Sequence, residues 1–321
     1  MEAYLLVAGG LALLVGGCEL LVRGAVDLAR ALGVSPFLIG ITLVAWGTSA
    51  PELVTSVTAA LAEAPGIVVG NIVGTNTANI LLILGLCAAI QPFVVDAEGF
   101  RRDSLIMITT SLILLGLVFH GVIERPVGAA MIVVVIVFAV RTYRADRAKQ
   151  AALAAAATDI AGDLGPDISR RPGLALLLTI AGLAIVIVGA RLLVEGAVDL
   201  ARLVGVSETV IGLTVVAIGT SAPELTMAIV GALRRQSELA YANVIGSHIY
   251  NTLFILGFTA LVEPIAIPPE IIRFDIWVMV AATVLLVVAG LSGRRLSRFE
   301  GLMFVTAYIA YVWRLLSVHA A

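Results

Sequence analysis

Charge is scarce in this chain. Asp, Glu, Lys and Arg make up 13% of its 321 residues, and 60% are hydrophobic. A water-soluble domain of this length does not carry so little charge, so composition places the chain in the membrane class. No basic face and no interleaving of basic with aromatic residues exists, which excludes a nucleic-acid binder. The cysteines number two, Cys18 and Cys87. Both lie in apolar runs without metal-ligand spacing, so they read as small hydrophobes and not as a disulfide. The three histidines, His120, His248 and His319, are far apart. Neither H-E-x-x-H nor G-x-S-x-G occurs, which argues against an intramembrane hydrolase, and the chain is not expected to be an enzyme. An acidic start (Glu2) and a long first apolar run argue against a cleaved signal peptide.

Apolar length is what the chain has in abundance. A spanning helix needs about 20 mostly apolar residues. Ten segments qualify, near 3–29, 36–61, 66–91, 103–121, 124–143, 173–201, 208–233, 239–262, 271–291 and 299–317. One connection is longer than a turn, 145–172. It combines arginines, an alanine run, the acids Asp159, Asp163 and Asp167, and Arg170-Arg171-Pro172. The acids do not follow the D-x-[DN]-x-[DN]-G pattern of a calcium loop, so they read as a solvated linker.

The segments before and after this linker are repeats. Adding 172 to a residue number in the first half gives its counterpart in the second, without a gap, from Gly24 to Asp103. Gly24-Ala25-Val26-Asp27-Leu28-Ala29-Arg30 returns as Gly196-Ala197-Val198-Asp199-Leu200-Ala201-Arg202. Gly40 and Thr42 map to Gly212 and Thr214; Asn71, Gly74, Asn79 and Gly85 map to Asn243, Gly246, Asn251 and Gly257. Five spans per repeat is an odd number, so the second repeat enters the membrane from the opposite side. The expected fold is an all-α membrane protein of ten transmembrane helices in two inverted-topology five-helix repeats, 1–144 and 173–321, joined by the linker 145–172. Many secondary transporters are built this way, with the site at the midplane where the repeats meet.

Lys and Arg in the loops set the orientation. One side holds 14 of them and the other four, Arg125, Arg202, Arg273 and Arg314. The richer side is cytoplasmic, which puts the linker inside the cell and both termini outside, in the plasma or inner membrane.

Within this frame one stretch is costly. Gly47-Thr48-Ser49-Ala50-Pro51-Glu52-Leu53 lies inside the second span and recurs as Gly219-Thr220-Ser221-Ala222-Pro223-Glu224-Leu225. A carboxylate at the bilayer centre costs roughly 2.5–3.5 kcal/mol on insertion scales and marks a functional site by default. Pro51 lacks an N–H and its ring clashes with the Gly47 carbonyl, so the helix should kink or unwind at 47–51. Freed carbonyls from Ala45 to Thr48 then need partners, which at this depth means a cavity. Thr48, Ser49 and Glu52, with Ala217, Thr220, Ser221 and Glu224, supply carbonyl, hydroxyl and carboxylate oxygens. Hard cations such as Ca²⁺ take six to eight such oxygens, and Na⁺ suits the same groups. The plain alternative is helix capping, since Ser49-Ala50-Pro51-Glu52 fits S-x-x-E. The third span carries Asn71, Thr75 and Asn79, four apart on one helix face. Its repeat carries Asn243, Ser247 and Asn251. Interhelical hydrogen bonding is the plain reading of these residues.

The two segments G-T-S-A-P-E-L (47–53) and G-N-I-V-G-T-N-T-A-N-I-L-L-I-L-G (70–85) resemble the α-repeats of the sodium/calcium exchangers, in the calcium/cation antiporter superfamily. The α-repeats here cover about 36–91 and 208–263, and the resemblance extends over nearly the whole chain. It implies antiport of Na⁺ against Ca²⁺, with these ions and the bilayer as the only partners, and no cofactor or protein partner. By resemblance, Glu52 and Glu224 are the central Ca²⁺ carboxylates, and Thr48 and Thr220 offer backbone carbonyls. Ser49, Ser221, Thr75 and Ser247, with the carbonyls of Ala45 and Ala217, line flanking Na⁺ sites, and Asn79 and Asn251 complete the middle. The family also implies that spans 1 and 6 slide as a pair across the other eight. Three positions depart from the family pattern. Asn251 stands where some microbial members and the potassium-dependent exchangers have Asp, which leaves two carboxylates and lowers the expectation of K⁺ coupling. Thr75 replaces a usual Ser, and His248 replaces a common Asn. His248 reads either as a pH sensor or as a packed, hydrogen-bonded histidine.

The remaining intramembrane charges have structural readings. Glu19 and Arg23 form an i,i+4 pair, and Arg191 and Glu195 repeat it with the signs exchanged. Asp27 with Arg30, and Asp199 with Arg202, read as interface anchors. A proton-coupled cation antiporter using the same two glutamates is the alternative to Na⁺ coupling. A cation channel is disfavoured by inverted repeats with broken helices.

Overall fold

The structure, a computed structural model, describes residues 2–94, 97–161, 172–203, 217–269, 271–293 and 295–319. Residues 162–171, with Asp163, Asp167, Arg170 and Arg171, and residues 204–216, which open the seventh predicted span and hold Gly212 and Thr214, lie outside the described residues.

Helices α1 (Glu2–Leu32), α4 (Pro65–Ile90), α7 (Pro172–Leu203), α10 (Leu239–Val262) and α11 (Ile271–Leu291) follow the predicted spans closely, while α6 (Arg125–Ala161) starts with the fifth predicted span and runs well past its end. The fourth predicted span is α5 (Ala97–His120), and the chain closes with α12 (Arg298–His319). The second predicted span is two helices, α2 (Pro36–Thr48) and α3 (Ala50–Leu61), bent by 41°. In the second half, α8 (Ala217–Thr220) and α9 (Ala222–Leu233) meet at the repeat-related position. By length and apolarity, seven described helices can cross a membrane, or eight with the bent pair counted as one. The molecule is a multi-pass membrane protein.

The apolar pattern separates two layers. In α4 and α10, 78% and 83% of the apolar window is buried, against 28% in α6 and 33% in α1 and α7. The outer helices therefore offer lipid an apolar surface, with Leu11, Val133, Ile136, Leu177 and Val188 exposed. The inner helices carry buried asparagines, threonines and serines, among them Asn76, Asn79, Asn243, Ser247 and Asn251.

Helices α1 and α7 pack along each other in antiparallel sense, through glycines spaced by seven on each helix. A Cβ on Gly10 would stand 2.8 Å from the Gly189 oxygen, and one on Gly182 would stand 2.5 Å from the Leu21 nitrogen. Backbones this close need residues without side chains. Two short antiparallel ladders tie the halves together. β1 (Phe93–Val94) pairs with β4 (Arg295–Leu296), and β2 (Val122–Ile123) pairs with β3 (Ile265–Ala266).

The linker expectation needs correction over its first part. Helix α6 runs on to Ala161, so Asp159 lies on helical backbone and not in a loop. The alanine run explains this, since Ala has the highest helix propensity. The extension also braces the α1–α2 turn. The Asp146 carboxylate accepts from the Ser35 backbone N–H at 2.9 Å, and the Arg147 guanidinium donates to the Leu32 carbonyl at 3.0 Å. The turn between them needs Gly33, whose φ is +62°. Cys18 and Cys87 are free and buried.

The ion pairs differ between the repeats. Glu19 pairs with Arg23 as expected, and also with Arg234 at the end of α9, at 2.7 Å. Asp27 pairs with Arg30 at 3.6 Å. The expected Arg191–Glu195 pair does not form: both side chains are exposed, and no ion pair joins them among the described residues. Acid before base at i,i+4 is the favourable order on a helix, and this pair has the reverse.

Candidate functional site

The break between α2 and α3 falls at Ser49 (φ −82°, ψ 8°), just before Ala50-Pro51. The chain bends there without unwinding. The Ser49 N–H still reaches the Ala45 carbonyl at 3.2 Å, and Leu53 N–H reaches the Ser49 carbonyl at 3.2 Å. The second repeat breaks at Ser221 with nearly the same angles (φ −87°, ψ 6°). Pro51 and Pro223 stand in the first turn of the following helices, the position where a missing N–H costs least. Neither serine caps its helix with its side chain. The capping-box alternative therefore fails. Instead the Ser49 hydroxyl donates across the halves to the Glu224 carboxylate, at 3.3 Å.

Glu52 and Glu224 are both fully buried. Each lies in the first turn of its helix beyond the break. The Glu52 backbone is held by Asn71, whose amide donates to the Glu52 carbonyl at 3.2 Å and to the Ser56 hydroxyl at 3.1 Å. Asn71 thus has the interhelical role that its sequence position suggests. Its counterpart Asn243 accepts from the Thr48 hydroxyl at 3.2 Å, a contact between repeats. Thr48 also bonds the Ala45 carbonyl at 3.4 Å.

A feature that periodicity does not reveal lies further along the inner helices. Both α4 and α10 pass from α-helix into a π-helical turn, at Asn79–Leu84 and Asn251–Ile255, starting at repeat-related asparagines. Such bulges are rare and gather at functional sites. Asn79, Asn251 and Ser247 are fully buried, and Thr75 is nearly so. No hydrogen bond joins Thr75, Ser247 or Asn79 to either glutamate among the described residues; they lie on the same two helices as the residues that contact the break. Ala45 and Ala217 begin the short helical turns that lead into the two breaks, and Thr220 ends the second of these.

Seven buried oxygens on these residues accept no hydrogen bond among the described residues. They are both carboxylate oxygens of Glu52, Oε2 of Glu224, the amide oxygens of Asn79 and Asn251, and the hydroxyls of Ser221 and Ser247. Buried polar atoms are normally satisfied, and a buried carboxylate left alone is especially costly. Oxygens of these kinds are what a hard cation takes in place of water.

His248 is fully buried, with Nε2 at 3.0 Å from the Ser111 hydroxyl; Ser111 in turn lies 3.3 Å from Thr283. These contacts fit the packed, hydrogen-bonded reading of the histidine. Ser111 and Thr283 are themselves related by the 172-residue offset, a signal in the sequence that singles them out. Asn76 and Thr252, which bond to each other at 2.9 Å, had no such signal.

Broken helices, a buried pair of acids and polar inner helices under an apolar coat define an ion-handling membrane protein. The family follows from comparison with known proteins. Residues 2–144 and 174–317 match the family model described as sodium/calcium exchanger protein, and the chain belongs to that family. It is 36% identical to the putative antiporter CaxA of Alkalimonas amylolytica, over 99% of both chains. It is 30% identical to the sodium/calcium exchanger MaX1 of Methanosarcina acetivorans, over 96% of this chain and 97% of that one. Its structure superposes on the sodium-calcium exchanger NCX_Mj soaked with 10 mM Na⁺ and no Ca²⁺, with a TM-score of 0.83 and 29% identity, covering 97% of this chain and 98% of that one.

Proposed function

We propose that this protein exchanges Na⁺ for Ca²⁺ across the cell membrane by alternating access. Ten spans in two inverted five-helix repeats carry the site at mid-membrane, with both termini outside and the 145–172 linker in the cytoplasm. Glu52 and Glu224 are the central carboxylates for Ca²⁺. Thr48 and Thr220 contribute carbonyls, and Asn79 and Asn251 contribute amide oxygens. Ser49, Ser221, Thr75 and Ser247, with the carbonyls of Ala45 and Ala217, hold Na⁺ at the flanks.

The observation that carries this reading is the set of buried, unbonded oxygens around two acids, one from each repeat. Family membership supports the choice of ions, and the antiparallel α1–α7 seam supports inversion of the repeats. Occupancy by either one Ca²⁺ or several Na⁺ offsets the repulsion between Glu52 and Glu224. The empty site keeps two buried charges together and resists the change of access, which prevents slippage. Different ion affinities in the two states are required for this.

The test is radioactive Ca²⁺ uptake into liposomes loaded with Na⁺, with Na⁺ or an impermeant cation outside at equal pH. Uptake is expected only with the outward Na⁺ gradient. Uptake that ignores Na⁺ and follows an imposed pH gradient replaces this reading with proton-coupled antiport through the same two glutamates. No Ca²⁺ movement under either gradient overturns the substrate.

A further inference from the structure

The two asparagines at the starts of the π-turns are repeat-related, yet their surroundings are not. Asn251 donates its amide N–H to Asn76 Oδ1 at 3.2 Å. Asn76 donates in turn to the Thr252 hydroxyl at 2.9 Å, and its Nδ2 lies 3.9 Å from the Met279 sulfur. All three of Asn76, Asn251 and Thr252 are fully buried. A hydroxyl accepts or donates, so Thr252 alone does not decide which way the Asn76 amide points. A thioether sulfur only accepts. Met279 therefore requires the Asn76 nitrogen on its side, which leaves Asn76 Oδ1 facing Asn251. That oxygen requires the Asn251 nitrogen, and the Asn251 oxygen is left facing away, where it has no hydrogen-bond partner among the described residues.

Around Asn79 the same positions hold different residues. The counterpart of Asn76 is His248, whose Nε2 is engaged by Ser111 at 3.0 Å. The counterpart of Thr252 is Ile80, which has no polar group. Neither atom of the Asn79 amide has a partner among the described residues.

We propose that Asn76 is a positioning residue: through the Met279–Asn76–Asn251 relay it presents the Asn251 amide oxygen, and not its nitrogen, to the transported cation. Asn79 has no such relay and turns its oxygen to the ion only when the ion arrives. The inference rests on Asn251 being an ion ligand, as proposed above. Groups that orient a metal ligand from behind typically change affinity by about 10–100-fold when removed.

The experiment uses the full chain in Na⁺-loaded liposomes and compares wild type, Asn76→Ala, Asn251→Asp and the double variant. Asn76→Ala is expected to raise the KM for Ca²⁺ about tenfold with the maximal rate changed less than about twofold. A carboxylate offers an oxygen whichever way it turns, so within the Asn251→Asp background the same Asn76→Ala step is expected to change KM less than about twofold. Thr252→Val, which leaves the Asn76–Asn251 contact in place, is expected to raise KM by a smaller factor than Asn76→Ala. An unchanged KM in Asn76→Ala, or a lower maximal rate at constant KM, overturns the proposal. So does an equal KM penalty in both backgrounds, which is what mere packing predicts. If the Asn251→Asp proteins do not transport, the same cycle is read from the rise in Tm that Ca²⁺ produces in detergent-solubilised protein. If wild type itself takes up no Ca²⁺, the exchange reading fails first, and the Tm cycle still decides whether Asn76 orients Asn251.

Discussion

Asn71 and Asn243 occupy the same place in two copies of one sequence, and they do different things. Asn71 stays within its own repeat, bonding the Glu52 carbonyl and the Ser56 hydroxyl. Asn243 reaches into the other repeat and bonds the Thr48 hydroxyl. Part of the reason is one side chain: the counterpart of Ser56 is Ala228, which offers no oxygen. The glycines a few residues on differ as well. A Cβ at Gly246 would meet the Ala45 Cβ at 2.6 Å and the Ile41 oxygen at 2.7 Å, whereas one at Gly74 would meet nothing within 4 Å among the described residues. Duplication supplied the chemistry twice, but in this structure the second repeat's inner helix packs tightly at Gly246 on the first repeat's broken helix, and no described residue approaches Gly74 in that way.

The largest test of this asymmetry asks whether the two acids are equivalent despite it. Glu52→Gln and Glu224→Gln are each expected to lower Na⁺-driven Ca²⁺ uptake by at least about a hundredfold, since a unit charge near an ion is worth several kcal/mol at partly buried sites. An active variant at either position would break the pairing of the repeats at the site. Next come the glycines. Gly246→Ala is expected to destabilise the protein by about 1–3 kcal/mol, the usual cost of overpacking, seen as a lower Tm in detergent. Gly74→Ala is expected to leave Tm unchanged; equal drops would mean that the two environments are alike in solution.

Smaller effects separate the asparagines. Ser56→Ala gives the first repeat the second repeat's residue and removes one acceptor from Asn71. It is expected to cost about 1 kcal/mol, read by thermal unfolding, while Ala228→Ser changes little. The smallest difference belongs to the outer charges. Arg234→Ala removes the Glu19 contact, a half-exposed pair, and is expected to lower stability by less than about 1 kcal/mol. Arg191→Ala, with no ion pair to lose among the described residues, is expected to be neutral.

Much of this was readable in advance because the signals are local or repetitive. Apolar length marked the spans, and the bend at Ser49 follows from Pro51 two residues later. The offset of 172 residues revealed the duplication. Where the reading missed, the reason was of two kinds. The alanine-rich start of the linker looked like a boundary by composition, yet alanine favours helix, and α6 continues to Ala161. The π-turns at Asn79 and Asn251 are shifts of one residue in the hydrogen-bond ladder, which no apolar period records.

By itself the sequence determined that this is a membrane protein of two related halves, that each half carries a proline-broken segment with an acid, and that oxygen-bearing side chains accompany both. Scarce charge, apolar runs and recurrence are properties of the chain and need no coordinates. Only tertiary packing decided that Ser49 bonds Glu224 and not its own helix, that Thr48 meets Asn243, and that Asn76 lies behind Asn251. Those contacts join residues 175, 195 and 175 positions apart. Helical periodicity relates a residue to neighbours three or four away on its own face. Which faces of distant helices meet, and at what depth, depends on how the whole bundle packs.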